Sequence, residues 1–232
     1  MDRKGKKVFV IIPSENHEKS VGCVINDLPP YLVDEVVVVD AYSTDRTVKI
    51  AREAGGTILQ DKGTGFGHTV RAALKYLEAK ARPEDIIVLL DAEYTYFSEE
   101  LGELLEPVIK DEAELVISSR VREKMQKGAI PVAELFGMWV MKKMVKLKFK
   151  YNYHSPGIFR AIELKTLLKL NLKESKNSWL TEMLIRAAAE KIRIREVPLN
   201  FRKKVRSKNI FKVIIEVLVS GIQNLALFIR SS

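Results

Sequence analysis

Five short apolar runs recur along the first half of the chain, and a segment with helical character follows most of them. The runs occupy 8–12, 35–40, 57–61, 85–90 and 114–119. Their Val, Ile and Leu content is typical of strands that are buried on both faces. Strands that alternate with helices favour a largely parallel sheet, because parallel neighbours need a crossover connection. We therefore predict an α/β fold, a three-layer sandwich with a mostly parallel central sheet, whose first helix lies around 18–28.

Residues with a strong capping preference precede two of the predicted helices. Ser43, Thr44 or Asp45 is predicted to cap a helix that ends at Gly55, and Ser98 is predicted to cap the helix after the fourth run. After residue 120 the alternation weakens. The elements predicted there are a helix at about 132–149, a strand at 157–162, a helix at 179–191 and a strand at 193–202.

The last segment, 209–232, is apolar except for one narrow polar stripe, which is typical of an amphipathic helix. The stripe consists of Lys212, Glu216, Ser220, Gln223 and Asn224. Its charges and amides make a transmembrane helix unfavourable. The alternatives are a helix in the membrane interface, or one packed on the sheet or against a second copy in a homodimer. The 232 residues thus divide into a domain at 1–208 and this helix.

The remaining bulk features exclude several classes of protein. A single cysteine, Cys23, rules out a disulfide framework and a thiolate zinc cluster. The three histidines show no metal-ligand spacing, and the N-terminus lacks a secretory signal, so we expect the protein inside the cell. The net charge of +9 is concentrated at 142–150 and 202–212. Such patches suit an anionic membrane surface, a phosphate-bearing ligand or nucleic acid.

The fourth run ends abruptly in two carboxylates, Asp91 and Glu93. Residues at the carboxyl end of a buried parallel strand face the crevice where open α/β sheets bind ligands. Two carboxylates separated by one residue can hold a divalent cation, which commonly bridges phosphates. The alternative is a strand end that simply turns into solvent.

Other nucleotide and hydrolase motifs are missing from the chain. The glycine-rich stretch 63–67 lacks the GxGxxG spacing and the Lys-Ser/Thr pair of a phosphate-binding loop. There is no GxSxG nucleophile elbow. The candidate site residues that remain are those at the strand ends, namely 13–18, Asp40, Lys62 and 91–93. Their chemistry suits a metal-bridged, phosphate-rich ligand.

In this order and spacing, the motifs resemble those of family 2 glycosyltransferases of the GT-A fold, closest to the dolichyl-phosphate mannose and glucose synthases. They are IIPSENHEKSV, VVVVDAYSTDRT, DKGTGFGHTVRAAL, IIVLLDAEYTY, LVISSR, SPGIFRA, WLTEML and VPLNFRKKVRSK, and the match runs from about residue 8 to 208. The resemblance implies transfer of a hexose, with inversion, from GDP-mannose or UDP-glucose to a polyprenyl phosphate. It also implies Mg²⁺ or Mn²⁺ as cofactor, no nucleic-acid partner, and a peripheral position on the cytoplasmic face of the membrane.

The same resemblance implies roles for individual residues. Asp91 would be the central catalytic and metal-binding residue, with Glu93 as second metal ligand, and Glu182 would be an acid facing the acceptor. The residues implied to bind the donor are Pro13, Glu15, Asn16, Val39, Asp40, Lys62, Asp91, Ala92 and Glu93. Those implied to grip donor or acceptor phosphates are Arg120, Arg202 and Lys208.

The chain also departs from the family pattern at several positions. His17 replaces a glutamate of PxxNE, and VDDGS reads VDAYS, so that Ala41 replaces a carboxylate and Tyr42 a glycine. DAD reads DAE, and Thr95 stands where the mannose synthases often carry glutamine. These changes leave the identity of the donor open. They also leave two alternatives to the implied function: transfer to a soluble hydroxyl acceptor with Glu182 as base, and a non-catalytic protein on the same fold. A nucleotidyltransferase is a further alternative, although its glycine-rich activation loop is missing after the first strand.

Overall fold

The computed structural model describes residues 2–63, 65–126, 142–143, 146, 156–174 and 178–203. Within them lies one seven-stranded sheet with the strand order β3-β2-β1-β4-β6-β5-β7. The strands are β1 Val8–Ser14, β2 Glu35–Asp40, β3 Thr57–Gln60, β4 Ile86–Leu89, β5 Leu115–Ser119, β6 Pro156–Glu163 and β7 Ile194–Pro198. Only β6 runs antiparallel to its neighbours, so the predicted mostly parallel sheet is confirmed.

The described α-helices are α1 Val21–Asn26, α2 Thr47–Glu53, α3 Phe66–Leu77, α4 Leu101–Ile109, α5 Leu164–Lys169 and α6 Trp179–Ala189. All five apolar runs form strands, and α5 is an element that the sequence pattern did not predict. The predicted helix at 132–149, apart from 142, 143 and 146, lies outside the described residues. The predicted helix at 209–232 and Lys208 lie outside them as well.

Neither predicted cap is the N-cap that the structure shows: Arg46 occupies that position before α2 without a side-chain capping hydrogen bond, and Glu100 occupies it before α4. Before α2, Asp45 Oδ1 accepts the backbone N–H of Thr47 at 3.0 Å. Burial alone would raise the pKa of Asp45, but the hydrogen bonds from Thr47 outweigh it and lower that pKa, so this carboxylate stays charged. Ser98 makes no capping hydrogen bond; it begins a short 3₁₀ turn that leads into α4, and its hydroxyl is buried instead.

The two faces of the sheet carry separate cores, as the period-two alternation of a strand requires. Val8, Val10 and Ile12 pack with α1 and α4 on one face. Phe9 and Ile11 pack with α3, α5 and α6 on the other. The predicted three-layer arrangement is therefore confirmed.

The strand directions bring many loops together at one edge of the sheet. Strands β1 to β5 and β7 all end at this edge, and the antiparallel β6 begins there. We call it the carboxyl edge. It gathers the segments after β1, β2, β3, β4, β5 and β7, which include most of the candidate site residues.

We expect Gly157→Ala, at the start of β6, to lower the free energy of unfolding by about 1–3 kcal/mol, the usual cost of overpacking. A β-carbon at Gly157 would lie 2.2 Å from the Tyr96 hydroxyl and 2.3 Å from Ser118 Oγ, both inside the core. Urea unfolding measures the change. Gly102→Ala is the matched control, because a β-carbon there would meet its nearest neighbour at an ordinary 3.7 Å. Equal stability of the two variants would contradict the packing at β6.

Candidate functional site

The turn after β4 holds Asp91 in a defined orientation. Asp91 Oδ1 accepts the backbone N–H of Glu93 at 2.9 Å, and Oδ2 accepts the Thr95 hydroxyl at 2.8 Å. Ala92 between them is buried, whereas Asp91 and Glu93 are partly exposed. The threonine that departs from the family pattern therefore has a role here: it orients the carboxylate.

The donor set of this turn fits a hard divalent cation. A carboxylate offers about four lone-pair sites, so one that accepts two hydrogen bonds can also bind a cation. No group of three or more His, Cys, Asp and Glu side chains assembles among the described residues. Mg²⁺ is commonly held by one or two carboxylates together with substrate phosphates, and the pair Asp91 and Glu93 matches that pattern.

The turn is anchored to the helix layer. The Ser20 hydroxyl, just before α1, donates to the carbonyl of Ala92 at 2.6 Å. Tyr94 has a positive φ of 60°, and its hydroxyl donates to Asp27 Oδ2 at 2.6 Å. That hydrogen bond and burial raise the pKa of Tyr94. These contacts fix the path of the chain on both sides of Glu93.

The loops after β1 and β2 form one wall of the carboxyl edge. The backbone N–H of Asn16 donates to Ser43 Oγ at 2.8 Å, and Asn16 Oδ1 accepts the N–H of Thr44 at 2.9 Å. The N–H of His17 donates to Thr47 Oγ1 at 2.7 Å. These hydrogen bonds hold the two loops together.

Asp40 and Val39, at the end of β2, are less exposed than direct contact of their side chains with a ligand would require. Asp40 is fully buried, and its carboxylate accepts both the N–H and the hydroxyl of Ser43. Pro13 is partly exposed and Val39 is buried in the core, while Glu15 is exposed. The described contacts of Asp40 are those of a residue that anchors the loop after β2.

Exposed residues complete the wall at its far end, after β2 and β3. Lys62 is exposed, and its ammonium lies 5.2 Å from the ring centroid of Tyr42. Tyr42, which was not a predicted site residue, has a positive φ of 55° and an exposed side chain. The signal that could have found it is a bulky residue at a motif position normally held by glycine.

Arg202, predicted to grip phosphate, lies between two aromatic rings. Its guanidinium carbon is 3.8 Å from the ring centroid of Tyr94 and 3.7 Å from that of Phe97. Nη2 donates to the carbonyl of Tyr96 at 3.3 Å and lies 3.7 Å from Asp27 Oδ2. Arg202 therefore joins the segment after β7 to the loop that carries Asp91.

Arg120 lies at the same edge, at the end of β5, with its guanidinium carbon 5.5 Å from the ring centroid of Phe201. Phe201 packs in turn on Tyr96, with ring centroids 5.0 Å apart. Burial raises the pKa of Tyr96, so its hydroxyl stays protonated. The structure thus brings Arg120 and Arg202 to one aromatic cluster beside the Asp91 turn.

Glu182 is buried near the start of α6, and its carboxylate is used within the protein. It accepts the backbone N–H groups of Lys173 and Glu174 at 2.8–3.0 Å and the Nε of Arg186 at 2.9 Å. The carbonyl of Glu174 in turn accepts Nη1 of Arg71 from α3 at 2.8 Å. Glu182 thereby fixes a loop that packs against the start of α3.

Among the described residues, no helix is long and apolar enough to cross a membrane. Lys142, Lys143 and Lys146, which are helical and partly or fully exposed, are the described members of the first basic patch.

Comparison with known proteins gives the same family as the motifs. The family model of glycosyl transferase family 2 matches residues 9–168. A UDP-N-acetylglucosamine–dolichyl-phosphate N-acetylglucosaminyltransferase of Methanococcus voltae is 27% identical over 217 residues, which cover 84% of this chain and 85% of that protein. A dolichyl-phosphate hexose transferase of Haloferax volcanii is 29% identical over 201 residues, or 84% of this chain and 82% of that protein.

Solved structures confirm the fold. Glucosyl-3-phosphoglycerate synthase from Mycobacterium tuberculosis, in complex with Mn²⁺, uridine diphosphate and phosphoglyceric acid, superposes with a TM-score of 0.74. The match covers 99% of this chain and 79% of that chain at 18% identity. At this identity the likeness concerns the GT-A fold alone.

Proposed function

Because the chain belongs to glycosyl transferase family 2 and is a glycosyltransferase, we propose that it transfers a hexose from a nucleotide sugar to a polyprenyl phosphate, with inversion. The observation that carries this proposal is the oriented Asp91 carboxylate at the carboxyl edge, beside the wall formed by the loops after β1 and β2. The relatives named for dolichyl-phosphate acceptors support the acceptor class. GDP-mannose and UDP-glucose are the proposed donors.

Asp91 and Glu93 are the proposed ligands of Mg²⁺ or Mn²⁺, which would neutralise charge on the departing nucleoside diphosphate. The hydrogen bonds from the N–H of Glu93 and from Thr95 hold Asp91 before any ligand arrives. A carboxylate that is already oriented needs less reorganisation during the reaction. Arg120 is proposed to add positive charge at the same edge.

The acceptor needs little help from a general base. The second pKa of a phosphate monoester lies near 6, so its oxygen is anionic at neutral pH. The protein's task is then to align this oxygen with the anomeric carbon, opposite the leaving group. Glu182 suits a positioning role, because its carboxylate holds the 173–174 loop.

A radiolabelled transfer assay tests the proposal. Purified protein with Mn²⁺ is incubated with polyprenyl phosphate in anionic vesicles and a panel of GDP-mannose, UDP-glucose and UDP-N-acetylglucosamine. We expect label to enter the lipid fraction from one donor and to be released by mild acid as the sugar. Label on a soluble hydroxyl acceptor alone would contradict the lipid acceptor, and no transfer from any donor would contradict the proposed activity.

The same assay examines docking on the membrane, for which we propose the basic patch and the segment 209–232. Reversing the charge of Lys142, Lys143 and Lys146 should slow transfer to acceptor in anionic vesicles and leave transfer to detergent-dispersed acceptor unchanged, because anionic lipid attracts exposed lysines. A rate of transfer in anionic vesicles equal to that of the wild type would contradict the proposed membrane docking without affecting the proposed chemistry.

A further inference from the structure

We propose that Tyr42 and Lys62 form a platform on which the base of the donor nucleotide stacks. The inference rests on the proposed function, and it names the part of the site that recognises the base. Lys62 was predicted to bind the donor, whereas Tyr42, which stands where the family motif has glycine, was not a predicted site residue.

The first support is position along the carboxyl edge. Asp40 on β2 is in register with Gln60 on β3, and Tyr42 and Lys62 each follow two residues later. The order β3-β2-β1-β4 places them on the opposite side of β1 from Asp91. Neighbouring strands lie about 4.8 Å apart, so Tyr42 is roughly 10 Å along the edge from the metal-binding turn. A base and a diphosphate likewise lie at opposite ends of a nucleotide, with the ribose between.

The second support is the backbone of Tyr42. A bulky side chain rarely adopts a positive φ, and 55° is a conformation that glycine adopts without strain. Asn16 and Tyr94, after β1 and β4, also have positive φ, as do Lys4, Asp111, Asn171 and Lys191 elsewhere in the described residues. Such strained residues cluster where a protein positions a ligand. The chain thus keeps a tyrosine where glycine would be easier to accommodate.

The third support is the exposure of the ring. The side chain of Tyr42 is 47% exposed, so burial of the ring does not compensate for the strained backbone. Nucleobases stack on exposed aromatic rings, and a cation beside the ring adds attraction. The Lys62 ammonium lies over one face of the ring, 5.2 Å from its centroid, and supplies that cation and three N–H donors, so a base would stack on the opposite face. An exposed aromatic ring with an adjacent cation therefore suits a base.

Calorimetric titration of UDP, GDP and inorganic pyrophosphate, each with Mn²⁺, tests the platform. Tyr42→Gly should raise the Kd of the better-bound nucleotide about 10-fold or more, by loss of stacking. Pyrophosphate has no base, and its Kd should not change. Tyr42→Phe keeps the ring and should stay within about 2-fold of the wild type. Glycine relieves the positive φ, so Tyr42→Gly should melt at the same temperature or higher.

Tyr31→Ala is the matched control. Tyr31 is 73% exposed but precedes β2, and so lies at the opposite edge of the sheet. Its loss should leave every Kd unchanged.

The remaining outcomes of the titration separate failure of the platform from failure of the proposed function. Unchanged nucleotide affinity in Tyr42→Gly would overturn the platform and leave the proposed function standing. An equal rise in the Kd of nucleotide and of pyrophosphate would show that Tyr42 acts through the loop and not by stacking. That result would also overturn the platform. If the wild type binds neither nucleotide, the proposed function fails and the platform with it.

Discussion

Asp91→Asn is expected to lower kcat/KM for sugar transfer by about 100- to 1000-fold, the usual effect of removing one charge-stabilising group. Asparagine has the same shape, and one oxygen can still accept from the N–H of Glu93 or from Thr95. The fold should therefore persist. What is lost is the negative charge that attracts the divalent cation and, through it, the donor diphosphate.

Two measurements check this expectation. The first is the rate of transfer at saturating Mn²⁺, and the second is the rise in melting temperature that Mn²⁺ with UDP or GDP confers on the wild type. The thermal shift should disappear in Asp91→Asn, because a ligand that no longer binds the folded state no longer stabilises it.

Glu106→Gln provides the matched control, since it removes the same charge from a half-exposed position on α4, where Glu106 pairs with Lys110. It should change neither the rate nor the thermal shift. A rate within a few-fold of the wild type for Asp91→Asn would show that the cation and diphosphate are held elsewhere.

Arg202→Ala is expected to lower the free energy of unfolding by about 3 kcal/mol, from two desolvated cation–π contacts. The side chain is only 15% exposed and is stacked between Tyr94 and Phe97. Removing it also leaves the carbonyl of Tyr96 without this donor. Urea unfolding measures the loss. Arg202→Lys keeps the charge but not the planar stacking group, so we expect an intermediate loss.

Arg195→Ala is the control for Arg202. Its side chain is 53% exposed and pairs with Glu112, and such surface pairs contribute about 0–1 kcal/mol. If Arg202→Ala is no less stable than this control but raises the KM for polyprenyl phosphate, the phosphate grip implied by the resemblance is the better account of Arg202. A large loss of stability with an unchanged KM would assign it to the scaffold of the Asp91 turn.

Much of the fold was predictable because its signals are local. A strand buried on both faces must be apolar along its buried length, and 8–12, 36–39 and 86–90 are apolar throughout. The placement of β6 between β4 and β5 was not predictable, because pairing depends on contacts between distant segments. The misassigned cap at Ser98 has a similar cause: serine can cap a helix, but here its hydroxyl is buried in the fold and makes no capping hydrogen bond.

The residues of the candidate site likewise include some that local sequence predicts and some whose surroundings only the tertiary structure shows. Asp91 and Glu93 were predictable as cation ligands, because their position at a strand end follows from the run before them. Asp40 was predicted from its strand end and from the family motif, and Glu182 from the family motif alone. The tertiary structure shows that Asp40 is fully buried and that Glu182 binds the 173–174 loop.

By itself, the sequence determined the alternation of strands and helices, the three-layer fold, the family and the acidic strand end, since each depends on residue type and spacing within short segments. Only the tertiary structure decided that Thr95 orients Asp91, that Arg202 lies between two rings, and that Tyr42 stands exposed beside Lys62. The physical reason is that an arginine or a tyrosine has the same side chain in every context. Whether it packs, pairs or remains available to a ligand depends on partners that are often remote in the chain and meet only in the folded protein.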